Sequence, residues 1–321
     1  MNRVLTMSAA CAAAGAAFAA GAGAAFAADP DGAKKSSGPS FDVEIAAGVD
    51  YDSNVSVNQL DANTGADDFA AAIDADLDFS TPLGPDTELR LGYGFSQSLH
   101  FDFTDFDLQS HLATADLAHD FGLAEIGAAY RFAYSRLGGD PFLTMHQINP
   151  YVSKFIGKTL FVRGGYTYAD KNFEEPATIP APATRDAKNN AFGGDVYLFL
   201  NGVKTYIVAG YEREIEKAVS DEFDFHANNY RVRFAQRFPF GAGDAELSLG
   251  YRFEDRNYDN PTPSILAVRA DERHRFEADL EIPLTGRAFA RLEFEHGDYQ
   301  SNLPSADYKQ NLAGARLGLK F

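Results

Sequence analysis

Apolar and polar residues alternate with a period of two along most of the chain. In FDVEIAAGVDY, Phe41, Val43, Ile45, Ala47, Val49 and Tyr51 alternate with Asp42, Glu44, Ala46, Gly48 and Asp50. In IDADLDF, Ile73, Ala75, Leu77 and Phe79 alternate with Asp74, Asp76 and Asp78. In YRVRFAQRF, Tyr230, Val232, Phe234 and Phe238 alternate with Arg231, Arg233 and Arg237. Successive side chains of a strand point to opposite faces, so each run predicts a strand with one dry and one wet face. The pattern returns at 89–101, 106–117, 126–134, 148–156, 160–168, 192–200, 205–214, 247–253, 276–282, 288–294 and 312–321. The run at 106–117 is ragged, which predicts a slip of phase near Thr114. The count is about 14 strands, each near the roughly 9–11 residues that cross a bilayer at a tilt.

The connections alternate as well. TPLGPD, HDFGLA, GKT, NGVK, FGAGD and LTGR are short and hold turn residues. Between them lie longer polar connections at 52–67, 102–105, 137–145, 170–187, 217–224, 254–271 and 300–306. Tight turns at one end and longer loops at the other predict an all-β transmembrane antiparallel up-and-down β-barrel over 41–321. A soluble β-sandwich also alternates, but one of this strand count would divide into domains, and no linker follows Ser40. In lipid every backbone polar group must be paired within the protein, so the sheet has to close.

Closure then assigns the faces. The apolar positions meet lipid and the polar positions line a lumen. By parity the lumen receives Asp42, Glu44, Asp74, Asp76 and Asp78 from the first two strands. Arg231, Arg233, Arg237, Arg252, Arg275 and Arg291 come from strands near the end, with Glu246, Glu254, Glu277, Asp279, Glu281, Glu293 and Glu295 among them. Arginine and glutamate ladders on neighbouring strands are expected to pair. No basic residue is close in sequence to Asp74–Asp78, so this ladder is expected to face water or cations. A porin-like channel for small polar or charged solutes, weakly favouring cations, follows as the expectation. Tyr51, Tyr168, Tyr251 and Tyr299, near strand ends, are expected in interfacial girdles, since the chain has no Trp.

Composition narrows the rest. Lys+Arg total 28 against 46 Asp+Glu, a net charge of -18, which excludes binding nucleic acid through its phosphates. Aromatic residues reach 13%, too many for a disordered acidic chain. After Arg3, an alanine-rich run ends in Ala25-Phe26-Ala27, which predicts a signal peptide over 1–27 and a flexible periplasmic leader over 28–40. The single cysteine, Cys11, lies in that signal, so the mature chain has no disulfide or thiolate chemistry. The expected location is the Gram-negative outer membrane, among lipid and lipopolysaccharide. The final LGLKF, ending at Phe321, resembles the signal read by the barrel-assembly machinery.

A search for catalytic chemistry returns little. The seven histidines form no compact ligand spacing, and there is no P-loop or dinucleotide fingerprint. His296, beside Glu295 and Asp298, is the best acid/base candidate, set against a solvated loop-edge histidine. The acidic loop residues Asp61, Asp67, Asp68, Asp102, Asp105, Asp107, Asp221, Glu222 and Asp224 match no calcium-loop spacing. The expectation is a non-enzyme with no cofactor and no metal.

The stretch DYQSNLPSADYKQNLAGARLGLKF, with Ser301, Asn302, Asp307, Tyr308, Asn311 and Phe321, resembles the closing strand pair of the surface lipoprotein assembly modifier barrel. YDSNV in the first strand is similar to the same family. The resemblance implies a barrel of about 14 strands and, as an alternative function, a translocon that assists surface display of a lipoprotein client. The family's periplasmic tetratricopeptide domain has no counterpart here. A structural or adhesive barrel is a third reading.

Tyr51-Asp52-Ser53-Asn54 and Tyr299-Gln300-Ser301-Asn302 share the pattern Tyr-x-Ser-Asn. Closure places their strands on either side of the last one. Both are expected at matched heights on the closing seam, with Ser53 and Ser301 capping backbone and Asn54 and Asn302 in left-handed turns. If the seam parts, they flank a lateral gate.

Overall fold

A computed structural model describes residues 38–174 and 183–321. The expected signal peptide with Cys11, nearly all of the expected leader and part of the connection at 170–187 lie outside the described residues. The chain begins with β1 (Ser40–Asp52), and the following connection carries a small pair, β2 (Ser56–Val57) and β3 (Ala62–Asn63). Then come β4 (Asp68–Pro82), β5 (Thr87–His100), β6 (Leu108–Asp120), β7 (Glu125–Leu137), β8 (Asp140–Ile156) and β9 (Leu160–Phe173). The chain continues through β10 (Ala187–Phe199), β11 (Thr205–Ala218), β12 (Phe225–Phe240) and β13 (Gly243–Thr262). It ends with β14 (Ala267–Pro283), β15 (Ala288–Ser301) and β16 (Tyr308–Lys320). All but β2 and β3 form one closed antiparallel barrel of fourteen strands in which each pairs with its sequence neighbours and β16 returns to β1.

The period of two sets the faces. Phe41, Ile45, Val49, Phe69, Ile73 and Leu77 are exposed on the outer wall, while Glu44, Asp52 and Asp68 on the same strands are buried toward the interior. Unpaired backbone groups in hydrocarbon cost several kcal/mol each, which only closure avoids. The seam is zipped from Glu44↔Lys320 to Asp52↔Leu312. Phe321 extends it, donating to and accepting from Val43 at 2.9 and 3.3 Å. Among the described residues no helix is long and apolar enough to cross a membrane.

Three expectations change. β6 has continuous register with both neighbours and no slip at Thr114. Its raggedness arises because Leu108 and Leu112 point inward and pack against interior apolar residues. The register shifts fall instead at Ser135/Arg136 and at Asn257/Pro261. The expected loops at 137–145 and 254–271 are mostly strand, because β7–β8 and β13–β14 run on as hairpins beyond their neighbours.

The long connections also share a device that the pattern of alternation does not reveal. Four of them end in a one-turn 3₁₀ helix followed by aspartate: Asp107, Asp186, Asp224 and Asp307. Each of these aspartates turns back to accept a backbone N–H at the end of the preceding strand. The donors are His100 (2.7 Å), Phe173 (2.6 Å), Ala218 (2.7 Å) and Ser301 (3.4 Å). The acidic loops are therefore acceptors for frayed strand ends. Asp224→Ala is expected to cost about 1.5 kcal/mol, in the range for hydrogen bonds to charged groups. Urea unfolding in lipid micelles would measure it, with Asp221→Ala, on the same turn, as the near-neutral comparison.

Candidate functional site: the lumen and the loop folded into it

The connection after β1 does not stand outside the barrel. Val57, Leu137, Phe142, Leu143 and Phe173 form one apolar cluster, with Leu60 packed on it, which ties the loop to β7–β9. The loop's other side holds β14–β16, half the barrel's circumference away. Asn58 contacts the Tyr308 hydroxyl and donates to the Tyr299 hydroxyl at 3.5 Å. Asp61 accepts from Arg269 Nη1 and Nη2 at 2.9 and 2.8 Å and from Arg185 Nη2 at 2.9 Å. The loop therefore crosses the mouth at the long-loop end.

Asp61 takes a left-handed backbone, φ 53°, which aspartate tolerates better than most residues. Burial works to raise its carboxyl, but the Arg269 hydrogen bonds and the charges of Arg269, Arg185 and Arg273 outweigh that and hold it well below the usual carboxylate range. Inside a polar loop, VSVNQLDAN carries Val55 and Val57, both buried. Apolar residues in a long connection were the signal in the sequence that this loop folds inward.

Beneath the loop lies a chamber of about 200 Å³ whose lining includes Asp61, Glu212, Glu214, Arg252, Arg256 and Arg275. Its charges are arranged by register. Arg231 pairs in register with Arg252, and Arg252 with Arg275, so three arginines stand side by side across β12–β14. Arg231 is held by both oxygens of Asp195 at 2.8 and 2.7 Å. Arg252 and Arg233 share Glu277 at 2.9 and 2.8 Å. Arg275 is buried between β13 and β15, where the charges of Glu295, Glu277 and Glu254 and the Tyr299 hydroxyl surround its guanidinium. Lower on the same wall, Arg237 meets Glu246 at 2.6 Å.

The carboxylate wall is not isolated from these cations. Arg316, on β16, donates to Asp74 on β4 at 2.7 Å and to Asp50 on β1 at 2.9 Å, and it contacts Glu293 on β15. Arg291 meets Glu44 at 2.6 Å and Glu281 at 2.8 Å. The expectation that no cation stands near Asp74 is corrected by closure, which brings the last strand beside the first. Asp76, Asp78 and Asp42 form no hydrogen bond or ion pair with any described residue. Opposite, toward the short-turn end, the lumen is aromatic. Phe161, Tyr197, Phe199 and Tyr206 cluster on the inward face of β9–β11, with Phe155 of β8 packed on them. The near-continuous apolar run VYLFL, 196–200, was its trace in the sequence.

The two Tyr-x-Ser-Asn stretches lie differently from expectation. Tyr51 is on the outer wall against Phe69, ring centroids 5.2 Å apart. Tyr299 points inward, buried and stacked on Tyr308 at 4.6 Å, because parity on β15 places odd residues inside. Register pairs Tyr51 with Ala313 and Ala313 with Phe294, so Phe294, not Tyr299, shares its row. Neither Asn54 nor Asn302 is left-handed. Their side chains bridge instead: Asn54 Oδ1 accepts from Gly65 N at 2.8 Å, and Asn302 Nδ2 donates to Val268 O at 2.9 Å. Ser53 Oγ accepts from Asn311 N at 2.7 Å, and Ser301 Oγ from Leu303 N at 2.9 Å. Asn54 and Tyr299 thus both hold the inward loop.

His296 is on the outer wall, 2.8 Å from Asn311 Oδ1, while Glu295 is buried inside, so the two cannot act together. His111, His146 and His274 also face outward, each with a tyrosine hydroxyl at its Nδ1, from Tyr93, Tyr130 and Tyr251. No group of three or more His, Cys, Asp or Glu among the described residues could hold a metal.

No family model matches the chain. No curated protein matches it either. Solved structures match across the barrel. An anion-selective porin from Comamonas acidovorans is 11% identical, with 88% of this chain and 99% of that one covered and a TM-score of 0.50. OmpT, an outer membrane protein of Vibrio cholerae in its trimer form, is 10% identical, with 88% and 100% covered and a TM-score of 0.50. At this identity the likeness is one of fold: the chain is a fourteen-stranded barrel of the outer-membrane type, and no family model stands behind the finer resemblance to the lipoprotein assembly modifiers.

Proposed function

We propose that this barrel is a porin-like channel of the bacterial outer membrane, not an enzyme, passing small polar or charged solutes with a weak preference for cations. The observation that carries the reading is the unpaired carboxylate row of Asp42, Asp76 and Asp78. Register sets Asp42 beside Asp78 and Glu44 beside Asp76. Carboxylates this close stay ionised together only where water or mobile cations reach them. Paired arginines elsewhere cancel their neighbours, so the net lumen field is set by the carboxylates left over. The anion selectivity of the Comamonas porin belongs to that protein.

Under a KCl gradient across a planar bilayer, the reversal potential is expected on the cation side. Asp76→Asn with Asp78→Asn should move it toward zero or beyond. An anion-selective wild type would overturn the preference. The translocon reading needs β1 and β16 to part. That seam is paired along its length and clamped by Arg316, so conduction should survive a disulfide between Ser53→Cys and Asn311→Cys. Lipopolysaccharide contacts, recognition of Phe321 by the assembly machinery and, on the translocon reading, a lipoprotein client go with this location.

A further inference from the structure

Two glycine pairs, Gly164-Gly165 and Gly193-Gly194, face each other across β9 and β10, with Gly164↔Gly194 and Gly165↔Gly193 in register. Gly164 and Gly194 lie on the outer wall. With Val152 of β8, Val162 and Val196 they form a groove of about 280 Å³ on the surface that meets lipid, its walls almost wholly apolar. The rings of Tyr166 and Phe192, 4.8 Å apart, stand on the long-loop side of it. On the short-turn side stands Lys154, in register with Val162 and also lining the groove. Lys154 is exposed on the lipid face, forms no hydrogen bond or ion pair with any described residue, and has exposed Ile156 and Leu198 beyond it. Lys154 stands two residues before the end of β8, and its stem lets the ammonium reach the headgroups of the near leaflet, where an anionic one is favoured.

We propose that this groove seats one acyl chain of an anionic phospholipid from the short-turn leaflet, with Lys154 on the phosphate. The glycines supply the depth, since a side chain at either position would fill the floor. The lysine supplies the headgroup preference through charge complementarity. The occupant is a lipid and not a second barrel because a lone unpaired cation would be left buried in a barrel–barrel contact.

Native mass spectrometry of the whole barrel, titrated with dioleoylphosphatidylglycerol or dioleoylphosphatidylcholine, tests this. Wild type should retain one phosphatidylglycerol in preference to phosphatidylcholine. Lys154→Gln should bind phosphatidylglycerol about fivefold more weakly, as loss of one basic contact with an anionic lipid implies. Gly164→Leu should lose retention of both lipids. It should fold, because the nearest heavy atom to an added Cβ there is 3.8 Å away, whereas at Gly194 it is 2.6 Å away and is backbone. Equal retention by all three proteins would overturn the proposal. So would a Gly164→Leu protein whose oligomeric mass changes while its lipid retention does not.

Discussion

Asp61→Ala is expected to unlatch one side of the inward loop, so that single-channel conductance flickers between the wild-type level and one several-fold higher. Asp61 is buried between Arg269 and Arg185, with its side chain 8% exposed. Removing one partner of a buried ion pair costs about 3 kcal/mol or more, because the remaining charge is left uncompensated. Here Asp271 still holds Arg269 at 2.7 Å, which places the effect at the lower end. The apolar anchor opposes release: burying a valine contributes about 1.5–3 kcal/mol, and Val57 and Leu60 sit on β7–β9. Asp61→Ala alone should therefore give a flickering conductance between two levels. Adding Val57→Ser should leave the upper level dominant. Unaltered conductance in the double variant would mean that the loop does not narrow the path.

The same latch has a pH signature. Asp61's folded pKa is depressed, so its contribution is complete above the unfolded value of about 3.9 and is lost only as pH falls through the lower folded value. Conductance should stay at its low level from neutral pH down to about pH 4. The high level should appear only in stronger acid, and a pH series on one recorded channel would show it.

Arg316→Ala should have the largest effect on stability. It strips the shared cation from Asp50, Asp74 and Glu293 on three different strands, with Arg316 itself only 4% exposed. The expected loss is about 3–5 kcal/mol. Arg316→Lys should recover little, since one ammonium cannot reach three acceptors as a planar fork does. The readout is the temperature at which the folded barrel loses its faster migration in an unboiled gel. The defect should map to the seam, so the Ser53→Cys/Asn311→Cys disulfide should restore much of the loss. No restoration would show that the damage lies elsewhere.

Alternation made the barrel legible, because a wall between lipid and water repeats the same two-residue rule on every strand. It also gave Asp74, Arg231 and Glu277 a parity, which follows from neighbours on the same strand. What it could not give is contact between residues far apart in sequence. Arg316 and Asp74 meet only because the sheet closes. Asp61 reaches Arg269 only because its loop turns inward, and nothing in the period of a strand encodes the path of a loop. Tyr299 was misplaced for a simpler reason. It ends a strand whose phase is set by Leu292 and Phe294, and aromatic identity near a strand end is a weaker guide than that phase.

The charged lumen is expected to conduct past the inward loop. Recording single purified barrels in a planar bilayer tests it most directly. The wild type should show discrete conductance steps and a reversal potential on the cation side under a KCl gradient, and Asp61→Ala/Val57→Ser should show larger steps. A folded, inserted barrel that is electrically silent in both proteins would contradict it.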